Sequence, residues 1–128
     1  MIVGIGADIV EVPRVEQILL RHGERFAQRI LAQCEWTAFS NSMVPAVYLA
    51  ARFAAKEAFS KAVGTGMRHP LYWSGIGVKR DALGRPEFEL AADLEAWLRD
   101  RGVSRCHLTL THERSLACAF VVLEGESK

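Results

Sequence analysis

The chain has 128 residues, half of them apolar, which suits one ordinary domain with a core that needs no disulfide or metal staple. Sixteen Lys and Arg against fifteen Asp and Glu leave a formal net charge of +1, so overall charge favours neither nucleic acid nor an anionic membrane as partner. The three cysteines, Cys34, Cys106 and Cys118, form no C-x-x-C pair and sit among apolar residues, as expected of buried, reduced thiols in a cytosolic protein. No basic segment precedes the opening apolar run, and no uncharged stretch approaches the roughly 20 residues of a bilayer span.

Residues 2–10 alternate β-branched and small side chains and predict a strand. Gly4 and Gly6 are unusual inside one, and imply close approach of another backbone or a ligand. Pro13 suits the first turn of a helix that runs to about His22 and stops at Gly23. Short helices are expected over 25–31 and 35–41. Residues 46–63 are rich in Ala, Leu, Lys and Glu, lack internal Gly or Pro, and end at Gly64-Thr65-Gly66, which predicts the longest helix of the chain. Residues 68–74 read as loop, and 76–79 and 87–90 as strands about the turn Asp81-Ala82-Leu83-Gly84-Arg85-Pro86. An amphipathic helix over 91–101 places Leu94, Trp97 and Leu98 on one face. A hairpin of 106–111 and 116–123 closes the chain, and its last strand is apolar on both faces, so both are expected to be covered. The expectation is a single α+β domain over residues 1–128, with an antiparallel sheet and one long helix packed on it.

Asp8 is a carboxylate in an apolar strand. It must be paired, hydrogen-bonded or metal-bound, because a buried charge without a partner is costly; capping the following helix is the plainest role. Glu57 and Lys61 lie four apart on one helix face with Phe53 and, at the helix end, Gly64. Alone they read as a commonplace i,i+4 ion pair contributing a few tenths of a kcal/mol.

Together, Gly4-Ile5-Gly6-Ala7-Asp8-Ile9-Val10-Glu11 and Phe53-Ala54-Ala55-Lys56-Glu57, continuing to Lys61 and Gly64-Thr65-Gly66, resemble the two signature motifs of the holo-[acyl-carrier-protein] synthase family. The resemblance extends along essentially the whole chain, through Arg29-Ile30-Leu31 with Glu35, Gly84-Arg85-Pro86 and the closing hairpin. It implies the 4′-phosphopantetheinyl transferase-like fold and transfer of phosphopantetheine from coenzyme A to a carrier-protein serine, releasing 3′,5′-ADP. Asp8 and Glu57 would then hold Mg²⁺, which accepts few protein oxygens and completes its shell with water and substrate phosphates. Either Glu57 or a metal-bound water would take the serine proton, and Lys61 would stabilise charge on the phosphates. Larger relatives carry a third acid two residues after the aspartate; here Val10 occupies that position, as in the short trimeric type.

The resemblance also implies coenzyme A contacts. Besides Lys61 and Gly64, these involve His112, otherwise a plain turn histidine, and Arg52 at the 3′-phosphate, otherwise a surface ion-pair partner. Arg14 and Arg21, seven apart on the first helix, form either a solvated face or the docking surface for an acidic acyl carrier protein. A cytosolic homotrimer with clefts between subunits is expected, with no membrane or nucleic-acid partner. The rival functions are a broader transferase for peptide or polyketide carriers and a noncatalytic coenzyme A-binding module.

Overall fold

In the computed structural model, which describes residues 1–126, strand β1 (Ile2–Glu11) leads directly into α1 (Val12–His22), with Pro13 in its first turn. Short helices α2 (Arg25–Ile30) and α3 (Trp36–Asn41) follow, separated by a 3₁₀ turn at Gln33–Glu35, and then α4 (Pro45–Val63). Gly64 ends α4 in the left-handed conformation at φ 92°, where a residue without a Cβ meets no steric penalty. The remaining elements are β2 (Ile76–Arg80), β3 (Pro86–Leu90), α5 (Ala92–Asp100), β4 (Arg105–Glu113) and β5 (Leu116–Glu124).

The antiparallel strands are divided between two sheets. One has the antiparallel order β1-β5-β4, and β2 and β3 form a separate ribbon. The expected loop over 68–74 ends in a 3₁₀ turn at Trp73–Gly75. Cys34 is exposed rather than buried, since the Gln33–Glu35 turn directs Glu35 inward and leaves Gln33 and Cys34 outward; Cys106 and Cys118 are half-buried, and all three thiols are free. Burial pushes the Cys106 thiol up to about 11.

Helix α4 is buried nearly all round, as a central helix is when layers cover it on several sides. Ala54, Ala58 and Phe59 pack with Ala119, Val121 and Leu94 in one cluster, and Leu49, Ala50 and Ala46 pack with Val15, Ile30 and Ala117 in another. The glycine signal in β1 has a direct cause. A Cβ at Gly4 would lie 2.1 Å from the Ala62 carbonyl oxygen, and one at Gly6 would lie 2.0 Å from that of Ala58. Helix backbone therefore rests on strand backbone, and the two run in opposite directions. Asp8, the next inward-facing residue after Gly6, is delivered toward the middle of α4.

The β1-β5-β4 sheet turns its other face outward. Ile5 is 69 %, Ile9 60 % and Phe120 52 % exposed, so the chain by itself covers only one of β5's two apolar faces.

Candidate active site

Asp8 and Glu57 line one cavity of about 660 Å³, together with Val10, Arg14, Ile18, Phe26, Phe53 and Leu116. The walls come from β1, α1, α2, α4 and the start of β5. Asp8 does not cap α1; the residue before that helix is Glu11, which makes no side-chain cap. Its partner is Lys61, whose Nζ donates to Asp8 Oδ1 at 3.0 Å and to the Ala7 carbonyl at 3.1 Å. The expected i,i+4 pair is thus replaced by a contact between helix and strand, made possible by the glycine-mediated approach of the two backbones. Partial burial, and then the neighbouring Asp8 carboxylate, raise the Glu57 carboxyl above its ordinary range, while Lys61 acts in the opposite sense.

This donor set fits a hard divalent cation. Two carboxylates at one cavity repel each other, and Mg²⁺ typically takes one or two carboxylates and leaves the other positions to water and phosphate. Among the described residues, no three His, Cys, Asp or Glu side chains gather as a fuller protein cage. Val10 lies at the cavity where a third acid would stand.

The other expected site residues are distributed more widely. Arg14 lines the same cavity, and Arg21 is exposed farther along α1; neither forms an ion pair among the described residues. Exposed Gly64 follows α4 just beyond Lys61. His112 is exposed at the end of β4, in the row that runs through Ala117 to Val10. Arg52 is not brought to this cavity. It is 5 % exposed, with its guanidinium 4.1 Å from the Tyr48 ring centre. Five residues of helix separate it from Glu57, about 140° around the axis.

Sequence reasoning missed the Glu35–Lys56 ion pair, at 2.7 Å with both side chains fully buried. The quoted Lys56-Glu57 motif contained the clue: adjacent charges on a helix buried nearly all round cannot both reach the cavity.

The sequence profile of the 4′-phosphopantetheinyl transferase superfamily matches residues 4–121, and the chain belongs to that superfamily. It is 51% identical over 124 residues to a holo-[acyl-carrier-protein] synthase of Nitrosospira multiformis, covering 97% of this chain and 99% of that one. A crystal structure of holo-[acyl-carrier-protein] synthase from Neisseria meningitidis superposes with a TM-score of 0.93 at 47% identity, over 97% of this chain and 99% of that one. The Bacillus anthracis holo-(acyl-carrier-protein) synthase, in complex with CoA (3′,5′-ADP), has a TM-score of 0.81 at 36% identity, over 98% and 99% of the two chains.

Proposed function

We propose that this chain is a holo-[acyl-carrier-protein] synthase, moving 4′-phosphopantetheine from coenzyme A to a serine of an apo acyl carrier protein. The observation that carries this reading is the meeting of Asp8 and Glu57 at one cavity, from a strand and a helix far apart in sequence, with Lys61 hydrogen-bonded to Asp8. Asp8 and Glu57 would hold Mg²⁺, which supplies neutralisation of the pyrophosphate charge. The serine oxygen forms a bond to the phosphorus bearing pantetheine as the bond from that phosphorus to 3′,5′-ADP breaks, and the serine proton passes to Glu57. Lys61, hydrogen-bonded to Asp8 at rest, donates to the phosphate oxygens, where charge grows as the nucleotide leaves.

The physiological setting proposed is cytosolic fatty acid biosynthesis. No helix among the described residues is long and apolar enough to cross a membrane. The outward sheet face of Ile5, Ile9 and Phe120 supports burial against another subunit, because apolar surface of this kind marks protein interfaces, and the resemblance to the short family type makes that assembly a homotrimer. Arg52, turned away from its own cavity, is then assigned to the coenzyme A 3′-phosphate of a neighbouring subunit's cleft, with Gly64 and His112 also on the nucleotide side.

The direct test is incubation with apo acyl carrier protein, coenzyme A and Mg²⁺, followed by intact-mass measurement. A gain equal to phosphopantetheine supports the function; no gain with several carriers removes it. A second expectation concerns Arg14, which lines the cavity and forms no ion pair among the described residues. Arg14→Glu is expected to raise KM for the carrier several-fold and leave KM for coenzyme A unchanged, since rim charges mainly steer encounter. Wild-type turnover should fall with salt as screening tightens below the Debye length of about 8 Å at physiological ionic strength. The variant should respond less steeply, and adding Arg21→Glu should deepen the defect. Equal carrier kinetics at low salt would make the arginines a solvated face only.

A further inference from the structure

The Glu35–Lys56 pair is fully buried, with all three ammonium protons and both carboxylate oxygens engaged. Glu35 Oε1 accepts from Lys56 Nζ and from the Ala32 N–H, both at 2.7 Å, and Oε2 accepts from the Val78 N–H at 3.0 Å. Lys56 Nζ also donates to the carbonyls of Ile30 and Trp73, the latter at 3.2 Å. Taking two charges wholly out of water is costly, and well-packed apolar residues often fill such a space with no loss of stability. The pair must therefore be read by what it fixes: the end of α2, the turn after it, the Trp73–Gly75 turn and the edge of β2.

Two of those elements carry rings that meet α4. Phe26 precedes Ile30 by one turn of α2, and Trp73 contributes the accepting carbonyl itself. Phe53, one turn before Lys56, lies between their rings, 5.7 Å from Phe26 and 5.0 Å from Trp73 in a near-parallel stack. Phe26 and Phe53 form the aromatic part of the lining of the cavity that holds Asp8, Glu57 and Arg14. One ammonium group thus ties together the backbones that carry both flanking rings.

We propose that Lys56 and Glu35 are positioning residues for the transfer. From within the core, their ion pair sets the Phe26–Phe53 wall, backed by the Trp73 ring, against which the carrier protein brings its serine to Glu57. The proposal rests on the transferase reading above. It places the pair on the carrier side of the reaction, since the wall adjoins Arg14 and Ile18 of α1.

The test compares Lys56→Met, Lys56→Arg and Glu35→Gln with wild type, at temperatures where circular dichroism shows each fully folded. Lys56→Met is expected to raise KM for the carrier at least fivefold and lower kcat at least tenfold, with KM for coenzyme A within twofold of wild type. Lys56→Arg should recover part of both losses, because it restores the charge but not the three-acceptor geometry of an ammonium. A lower kcat with both KM values unchanged would mean only a smaller active fraction and would overturn the proposal, as would wild-type kinetics or a defect confined to coenzyme A. If Lys56→Met does not fold, the same readings on Lys56→Arg and Glu35→Gln decide the matter by the same criteria. A wild-type protein without turnover would instead overturn the transferase reading, and this proposal with it.

Discussion

Asp8→Asn and Glu57→Gln should each lower turnover by roughly 10²- to 10³-fold, the usual consequence of removing one preorganised charge from a reacting centre. Each replacement keeps the shape of the side chain and removes its charge, so the fold is expected to survive. Asp8→Asn also loses the Lys61 ion pair. Lys61 is 54 % exposed in that pair, so by the usual standard of exposed pairs the loss costs about 1 kcal/mol or less. Intact-mass assays of transfer, paired with thermal unfolding, separate the two effects: a large fall in rate should accompany a small shift in Tm. Chelation should silence the wild type, and added Mg²⁺ should restore it. Near-normal transfer by either variant would remove that residue from the cation site.

Gly6→Ala is expected to be the most damaging small substitution in the fold. The added methyl would stand 2.0 Å from the Ala58 carbonyl oxygen and 2.7 Å from the Ala62 nitrogen. Both are backbone atoms of a helix held on several sides, so no side-chain rotation can relieve the clash. Overpacking of this kind costs about 3 kcal/mol or more where the obstacle is rigid. For a chain of this length, that corresponds to a fall in Tm of about 10 °C. Folded protein that survives should also turn over slowly, because pushing α4 off β1 parts Asp8 from Glu57. The measurements are thermal unfolding and transfer rate, and wild-type values in both would mean that strand and helix do not touch through their backbones.

The parts of the site that could be read directly were those in which a residue contradicts its surroundings. Glycines inside a strand announced a close backbone, and a carboxylate in the same strand announced a partner. Pairing of Asp8 with Lys61 was less accessible: i,i+4 spacing joins Lys61 to Glu57 equally well, and only the approach of β1 decides between them. Arg52 could have been separated from Glu57 by arithmetic, since five helical residues turn a side chain well away from its starting face. Glu35 carried no such signal. A charged residue near the start of a short helix ordinarily belongs at the surface, and its burial follows from tertiary contacts with Lys56 and Val78. Division of the strands into two sheets was equally hidden, because a period of two tells which face a residue takes but not which strand lies beside it. Apolarity on both faces of β5 marked a strand that the single chain leaves open on one side, with Phe120 52 % exposed.

The pairing of β1 with β5 also orders events during synthesis. Asp8 leaves the ribosome well ahead of the strand that holds its own strand in place, since Leu116–Glu124 is made more than a hundred residues later. Helix α4 can form early from local contacts, but closing a loop of that length must precede the ladder that rewards it. Asp8 and Glu57 thus have no fixed relation until translation has passed β5. A nascent or prematurely terminated chain lacking that strand has both carboxylates but no rigid frame to hold them together.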